Sequence, residues 1–138
     1  FKPDWVIGAE MVMRTKDARA IGGFSTEYFM YTEDMDLCKK ISVILKKQIY
    51  FISGVSLIHL GGASEAQNVN YNKQKKLFQN DMIFVRKFYG EEEARKTADY
   101  MAKAYSMRKL LLKIGYWKKN RKYQIEKNNV AIQLINEI

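Results

Sequence analysis

Three carboxylates crowd one short stretch of this chain. Glu33, Asp34 and Asp36 follow Thr32 in the run Gly22-Gly23-Phe24-Ser25-Thr26-Glu27-Tyr28-Phe29-Met30-Tyr31-Thr32-Glu33-Asp34-Met35-Asp36-Leu37-Cys38. A carboxylate in the first turn of a helix is favoured by the helix dipole and by backbone N–H groups, and it can still face a cleft. That setting suits a general base removing a proton from a hydroxyl nucleophile. Helix capping explains the same residues, since acids after a threonine need no catalysis to account for them. His59 is the single histidine; it reads either as a metal ligand or as a hydrogen-bonded histidine at a strand end. A hard divalent cation would need oxygen ligands besides it. Gly8-Ala9 leaves room for a ligand beside a strand or for close packing of backbone.

The elements that must position these groups form two halves. Over residues 5–13, partial two-residue alternation and β-branched content predict a strand. Thr15 is expected to cap a short helix from Lys16 to Ile21 that stops at Gly22-Gly23. After an aromatic loop, Thr32 caps a second helix running through Leu37, Ile41, Ile44 and Leu45. Ile49 to Ile52 and Val55 to Leu60 read as two further short strands. The second half reads as helical throughout. Leu77, Ile83, Phe84 and Phe88 form a stripe that ends at Gly90. A new helix starts at Glu91 to Glu93, its apolar face drawn through Tyr100, Ala104, Met107, Leu111 and Ile114. An amphipathic segment from Ile125 to Ile138 closes the chain.

The chain has 138 residues, 47% of them hydrophobic, enough for a core in one domain and against intrinsic disorder. One cysteine, Cys38, excludes an internal disulfide framework and suits a reducing compartment. There is no secretory signal pattern and no apolar run of about 20 residues. The abrupt start at Phe1, inside strand-like sequence, reads as an excised fragment. The formal net charge is +9, and it is uneven. Residues 1–64 carry eight basic and seven acidic side chains, whereas residues 65–138 carry sixteen and eight. Such asymmetry points the second half toward an anionic partner.

Four pieces in order and spacing resemble the C-terminal half of the catalytic domain of glycosyltransferase family 2. They are Trp5-Val6-Ile7-Gly8-Ala9 with Arg14, then Ile21-Gly22-Gly23-Phe24, then Tyr31-Thr32-Glu33-Asp34-Met35-Asp36-Leu37, then His59-Leu60-Gly61-Gly62-Ala63-Ser64. The likeness is greatest to the rhamnosyltransferase-like branch that acts on bacterial surface polysaccharides. It implies an α/β fold, the C-terminal half of a GT-A core with short mixed β-strands over 1–64, followed by a basic helical extension over 65–138. It also implies an inverting transfer of sugar from a nucleotide-diphospho-sugar to a carbohydrate or lipid-linked acceptor. In that scheme Asp34 is the base on the acceptor hydroxyl and Glu33 orients the acceptor or supports the base. Gly8 and Ala9 make room for the donor sugar, and His59 helps hold a divalent ion, Mg²⁺ or Mn²⁺. Tyr31 is the aromatic best placed to touch the acceptor, while most of Phe24, Tyr28 and Phe29 are expected in the core. Asp36 serves substrate binding, or equally capping or a salt bridge with Lys39 or Lys40. Asp34-Met35-Asp36 spells D-x-D, but the family's metal-binding D-x-D follows a strand in the other half, so that role is declined. The nucleotide-gripping segments are absent from the sequence, and the chain alone is expected to be inactive and metal-free.

From Lys103 to Lys127 nine basic residues face a single acid, Glu126, with Tyr105, Tyr116 and Trp117 between them. The pattern fits a helix on an anionic membrane, or a solvated charged face on helices packed against the first half. A cytoplasmic enzyme, peripheral on the inner face of the cell membrane, follows from the first of these. Exposed strand edges left by a half sheet would favour a homodimer. The competing class is a basic nucleic-acid-binding or non-catalytic assembly module. No recognition helix or RNA motif supports nucleic acid, and the acids at 33–36 would then have no task.

Overall fold

A computed structural model describes residues 1–28, 30–59, 71–115 and 121–137, with backbone alone at Tyr71 and Asn136. Five helices follow in order: α1 (Thr15–Ala20), α2 (Glu33–Val43), α3 (Tyr71–Tyr89), α4 (Glu91–Lys113) and α5 (Arg121–Asn136). They divide into two compact units, Phe1–Ala66 with α1 and α2, and Gln67–Ile138 with α3, α4 and α5.

The expected α/β fold is overturned: among the described residues there is no β-strand. Residues 5–14 are irregular, with a turn at Gly8-Ala9, and so are residues 49–59. A strand exists only through the ladder it makes with a neighbour, whatever the propensity of its side chains. The backbone bond from Phe51 N–H to Phe1 C=O at 3.0 Å ties the second segment to the first residue of the sequence and does not continue into a ladder. Ile7, Val12, Phe51, Ile52, Val55 and Ile58, the residues that made the segments look strand-like, are exposed. The edge-pairing route to a homodimer therefore loses its basis among the described residues.

In the first unit, α1 begins at Thr15 itself, with Arg14 in the cap position and no side-chain capping bond. It ends at the expected glycines. Gly22 and Gly23 take φ of 72° and 63°, and Gly23 N–H reaches Ala18 C=O at 2.9 Å. Glycine is favoured there because a Cβ disfavours the left-handed region. The core around α2 is small and polar for its size: Ile21, Tyr28, Leu37 and Cys38 are buried together with Thr32, Asp36 and Lys40. Beyond α2, Lys47 pairs with Asp17 of α1. That charge, with a direct hydrogen bond from the ammonium as the largest cause, lowers the Asp17 carboxyl below its usual value.

The second unit is a three-helix assembly. Phe78 and Met82 of α3 meet Leu134 of α5, with Ala98 and Met101 of α4 and Val130 and Ile135 of α5 packed against them. Gly90, at φ 89°, separates α3 from α4. The apolar face expected on α4 from spacing is for the most part not the one it packs. The helix turns Ala94, Ala98, Met101 and Leu112 inward and leaves Tyr100, Ala104, Met107 and Ile114 exposed. Two apolar stripes compete on this helix, and the one with smaller side chains permits the closer approach of α3 and α5. Arg121, the first residue of α5, donates Nε to Leu112 C=O at 2.9 Å and Nη2 to Lys113 C=O at 2.7 Å. It thus caps the last turn of α4, reaching Lys113 C=O and joining the Gly115 N–H, at 3.3 Å, on Leu112 C=O. Asn128, fully buried on α5, donates Nδ2 to Tyr105 C=O at 3.3 Å.

Candidate active site at the start of α2

Two carboxylates of α2, two positions apart, have opposite surroundings. Asp36 is fully buried. Its Oδ2 accepts from the Ser25 hydroxyl at 2.6 Å and its Oδ1 from the Tyr28 hydroxyl at 3.3 Å. Lys40, one turn along, stands 3.4 Å from Oδ2 and also donates to Gly23 C=O at 2.6 Å and to Ser25 Oγ at 3.0 Å. A buried ion pair holds only when its remaining donors and acceptors are met, and here the loop meets them. The network ties residues 23–28 to α2. Burial first, and then the Asp36 charge, pushes the Tyr28 phenol well above its usual range.

Asp34 is half-buried and points the other way. Its Oδ2 accepts from Gly8 N–H at 3.0 Å, and its Oδ1 from Met35 N–H at 2.8 Å. A Cβ built on Gly8 would lie in ordinary van der Waals contact with Asp34, 3.4 Å from its Cβ. The 5–10 segment lays its backbone against the carboxylate, which is close backbone packing with the carboxylate as the neighbour. Ala9 follows in the same turn and is exposed. Glu33 is half-buried, and its Oε2 is enclosed without a hydrogen-bond partner.

The loop enters α2 under strain. Tyr31 and Thr32 both take left-handed backbone, φ 73° and 71°. For side-chain-bearing residues this costs on the order of 1–3 kcal/mol each. Thr32 occupies the cap position as expected, yet makes no side-chain capping bond. Capping by Thr32 is thus not what the threonine supplies. The Asp36 network on one side and the Gly8 contact on the other hold the entry in this shape.

The structure brings Gly8, Asp34, Glu33 and Tyr31 into one neighbourhood by chain and contact. Asp36 belongs to its inner face, with both oxygens taken by protein groups; the salt-bridge reading with Lys40 describes it, and direct contact with a substrate does not. His59 is exposed in an irregular segment. Among the described residues, no three His, Cys, Asp or Glu side chains gather to hold a metal ion. The turn Gly61-Gly62 and Phe29 lie outside the described residues. Phe24 is exposed and Tyr28 buried. Cys38 is fully buried, and burial raises its thiol above the ordinary value, which leaves it inert as a nucleophile. Ser25 is a support of Asp36 that nothing in the sequence pattern marks, whereas the i,i+4 spacing of Asp36 and Lys40 already makes Lys40 one of two expected partners.

No protein-family model matches the chain, and no solved structure matches it. The chain is 36% identical over 56 residues to rhamnosyltransferase WbbL of Escherichia coli (strain K12). That stretch is 41% of this chain and 21% of the relative, so the match spans about a fifth of the length of the curated relative.

Proposed function

We propose that the chain is the acceptor-side part of a glycosyltransferase, similar to family 2, that moves a sugar from a nucleotide-diphospho-sugar to a carbohydrate or lipid-linked acceptor in surface polysaccharide synthesis. The observation that carries the reading is the seat of Asp34: a half-buried carboxylate in the first turn of α2, oriented by two backbone N–H groups, beside an enclosed Glu33 oxygen with no protein donor. The partial likeness to a rhamnosyltransferase supports the same class.

In this reading the acceptor hydroxyl attacks the anomeric carbon as the bond to the diphosphate breaks. Its proton passes to Asp34, which keeps a free lone pair on each oxygen beyond the bond it already accepts. A single displacement inverts the anomeric carbon. Glu33, with its Oε2 enclosed, supports the base or orients the acceptor through its other oxygen. Tyr31, held at a strained backbone, presents its ring to that sugar. Asp36 is a positioning residue: with Ser25, Tyr28 and Lys40 it anchors the loop that delivers Tyr31. Gly8 and Ala9 form the backbone wall against Asp34. A divalent ion, when bound, would neutralise charge on the donor diphosphate. The reaction belongs in the cytoplasm.

The test compares the full-length protein with its Asp34→Asn form across a panel of nucleotide sugars. The amide keeps size and one acceptor oxygen but loses basicity, so kcat/KM is expected to fall about 10²- to 10⁴-fold with an unchanged helical spectrum. Undiminished transfer removes Asp34 as the base.

A further inference from the structure

The exposed face of α4 has no role in the reading above, and its chemistry is specific. Tyr100, Met107, Leu110 and Ile114 are 74%, 65%, 60% and 70% exposed. Positions 100, 107 and 114 repeat every two turns, so their side chains lie along one edge for about 20 Å. Monomeric proteins seldom leave such a line of large apolar groups in water without a partner. The charge around it is one-sided. From Tyr100 to Lys113 the helix carries Lys103, Arg108, Lys109 and Lys113 and no acid; its acids, Glu91, Glu92, Glu93 and Asp99, all precede that stretch. Lys103 and Lys113 are exposed beside the apolar line. Arg108 is taken up by Gln124 of α5 at 2.7 Å.

We propose that this C-terminal half of α4 docks on an anionic lipid bilayer, lying in the interface with Tyr100, Met107, Leu110 and Ile114 among the headgroups and upper acyl chains. Apolar groups flanked by cations on one helix are what binds such a surface, through buried area and attraction to acidic headgroups together. A second copy of this chain is the poorer occupant, because it would oppose one cationic helix with another. Among the described residues no helix is long and apolar enough to cross a membrane, so the contact is peripheral. The docking stands independently of the transferase reading.

Sedimentation of the chain with phosphatidylcholine vesicles, and with mixed phosphatidylcholine–phosphatidylglycerol vesicles, tests it. Binding is expected to the mixed vesicles and not to the neutral ones, and to decline with added salt. Met107→Gln with Ile114→Gln is expected to weaken it about tenfold, and Lys103→Gln with Lys113→Gln by about as much. All four positions are exposed, so both variants should keep the far-UV dichroism of the parent, and either one tests the proposal. The proposal is overturned by absence of vesicle binding, or by binding that neither variant alters. It is also overturned if the apolar variant abolishes a dimer of the lipid-free chain, or if duplex DNA competes fully with the vesicles.

Discussion

Asp34 and Asp36 have the same chemistry and nearly the same place in the chain, yet one is wedged under the loop and the other is reached by Gly8 from outside. The difference comes from the helix itself: residues two apart point about 200° apart around its axis. Tyr28 reports on the inner one. Its phenol, against an ordinary value of 10.0, is pushed up by burial and by Asp36. The folded state therefore holds this proton more tightly than the unfolded chain does. The stability this contributes is complete below pH 10 and drains away as pH rises from there. Absorbance titration of tyrosinate is expected to show one of the nine tyrosines ionising only as the first unit unfolds, and Tyr28→Phe should remove that late step. A Tyr28 that titrates with the rest would mean that the Asp36 network is open in solution.

At the scale of elements, the junction of α4 and α5 concentrates much of its polar contact in one side chain. Arg121 caps two carbonyls of α4 while starting α5. Charge-assisted bonds of this kind contribute about 1.5–3 kcal/mol, and a cation at a helix C-terminus adds to them. Arg121→Met is expected to lower the stability of the second unit by about 2 kcal/mol in urea denaturation, with α3 contacts at Phe78 and Met82 left in place. A loss within a few tenths of a kcal/mol would show the cap to be solvent-replaceable. The two stripes on α4 belong to this scale too. Periodicity found a helix and an apolar face, but the face it found is the one turned outward. Hydropathy ranks Met107 and Ile114 above Ala94 and Ala98, whereas close helix packing favours the small ones.

For the whole molecule the governing quantity is charge. Sixteen cations against eight acids in residues 65–138 repel one another in the folded state more than in an expanded chain. Added salt screens that repulsion, with a Debye length near 10 Å at about 0.1 M. The thermal midpoint of the chain is expected to rise by a few degrees as salt is raised from about 0.01 M to about 0.1 M. An unchanged or falling midpoint would indicate that the Lys96–Glu92, Lys96–Glu93 and Arg86–Glu91 pairs already outweigh the excess of cations.

Local chemistry was legible in the chain itself. The glycine stops after α1 and α3, the acidic start of α2, the acidic start of α4 and the pairing of Asp36 with Lys40 all depend on groups within a few residues of each other. Pattern alone suffices for such features. What the tertiary structure decided was every relation between distant segments. Residues 5–13 and 49–59 carry strand-forming side chains but acquire no ladder, because a strand's hydrogen bonds belong to a neighbour that its own residues do not specify. Gly8 meets Asp34 across 26 positions, and Ser25 meets Asp36 across 11, through backbone approach that leaves no periodic trace. Which side of α4 faces water was settled in the same way, by the volumes available between three helices rather than by hydropathy along one.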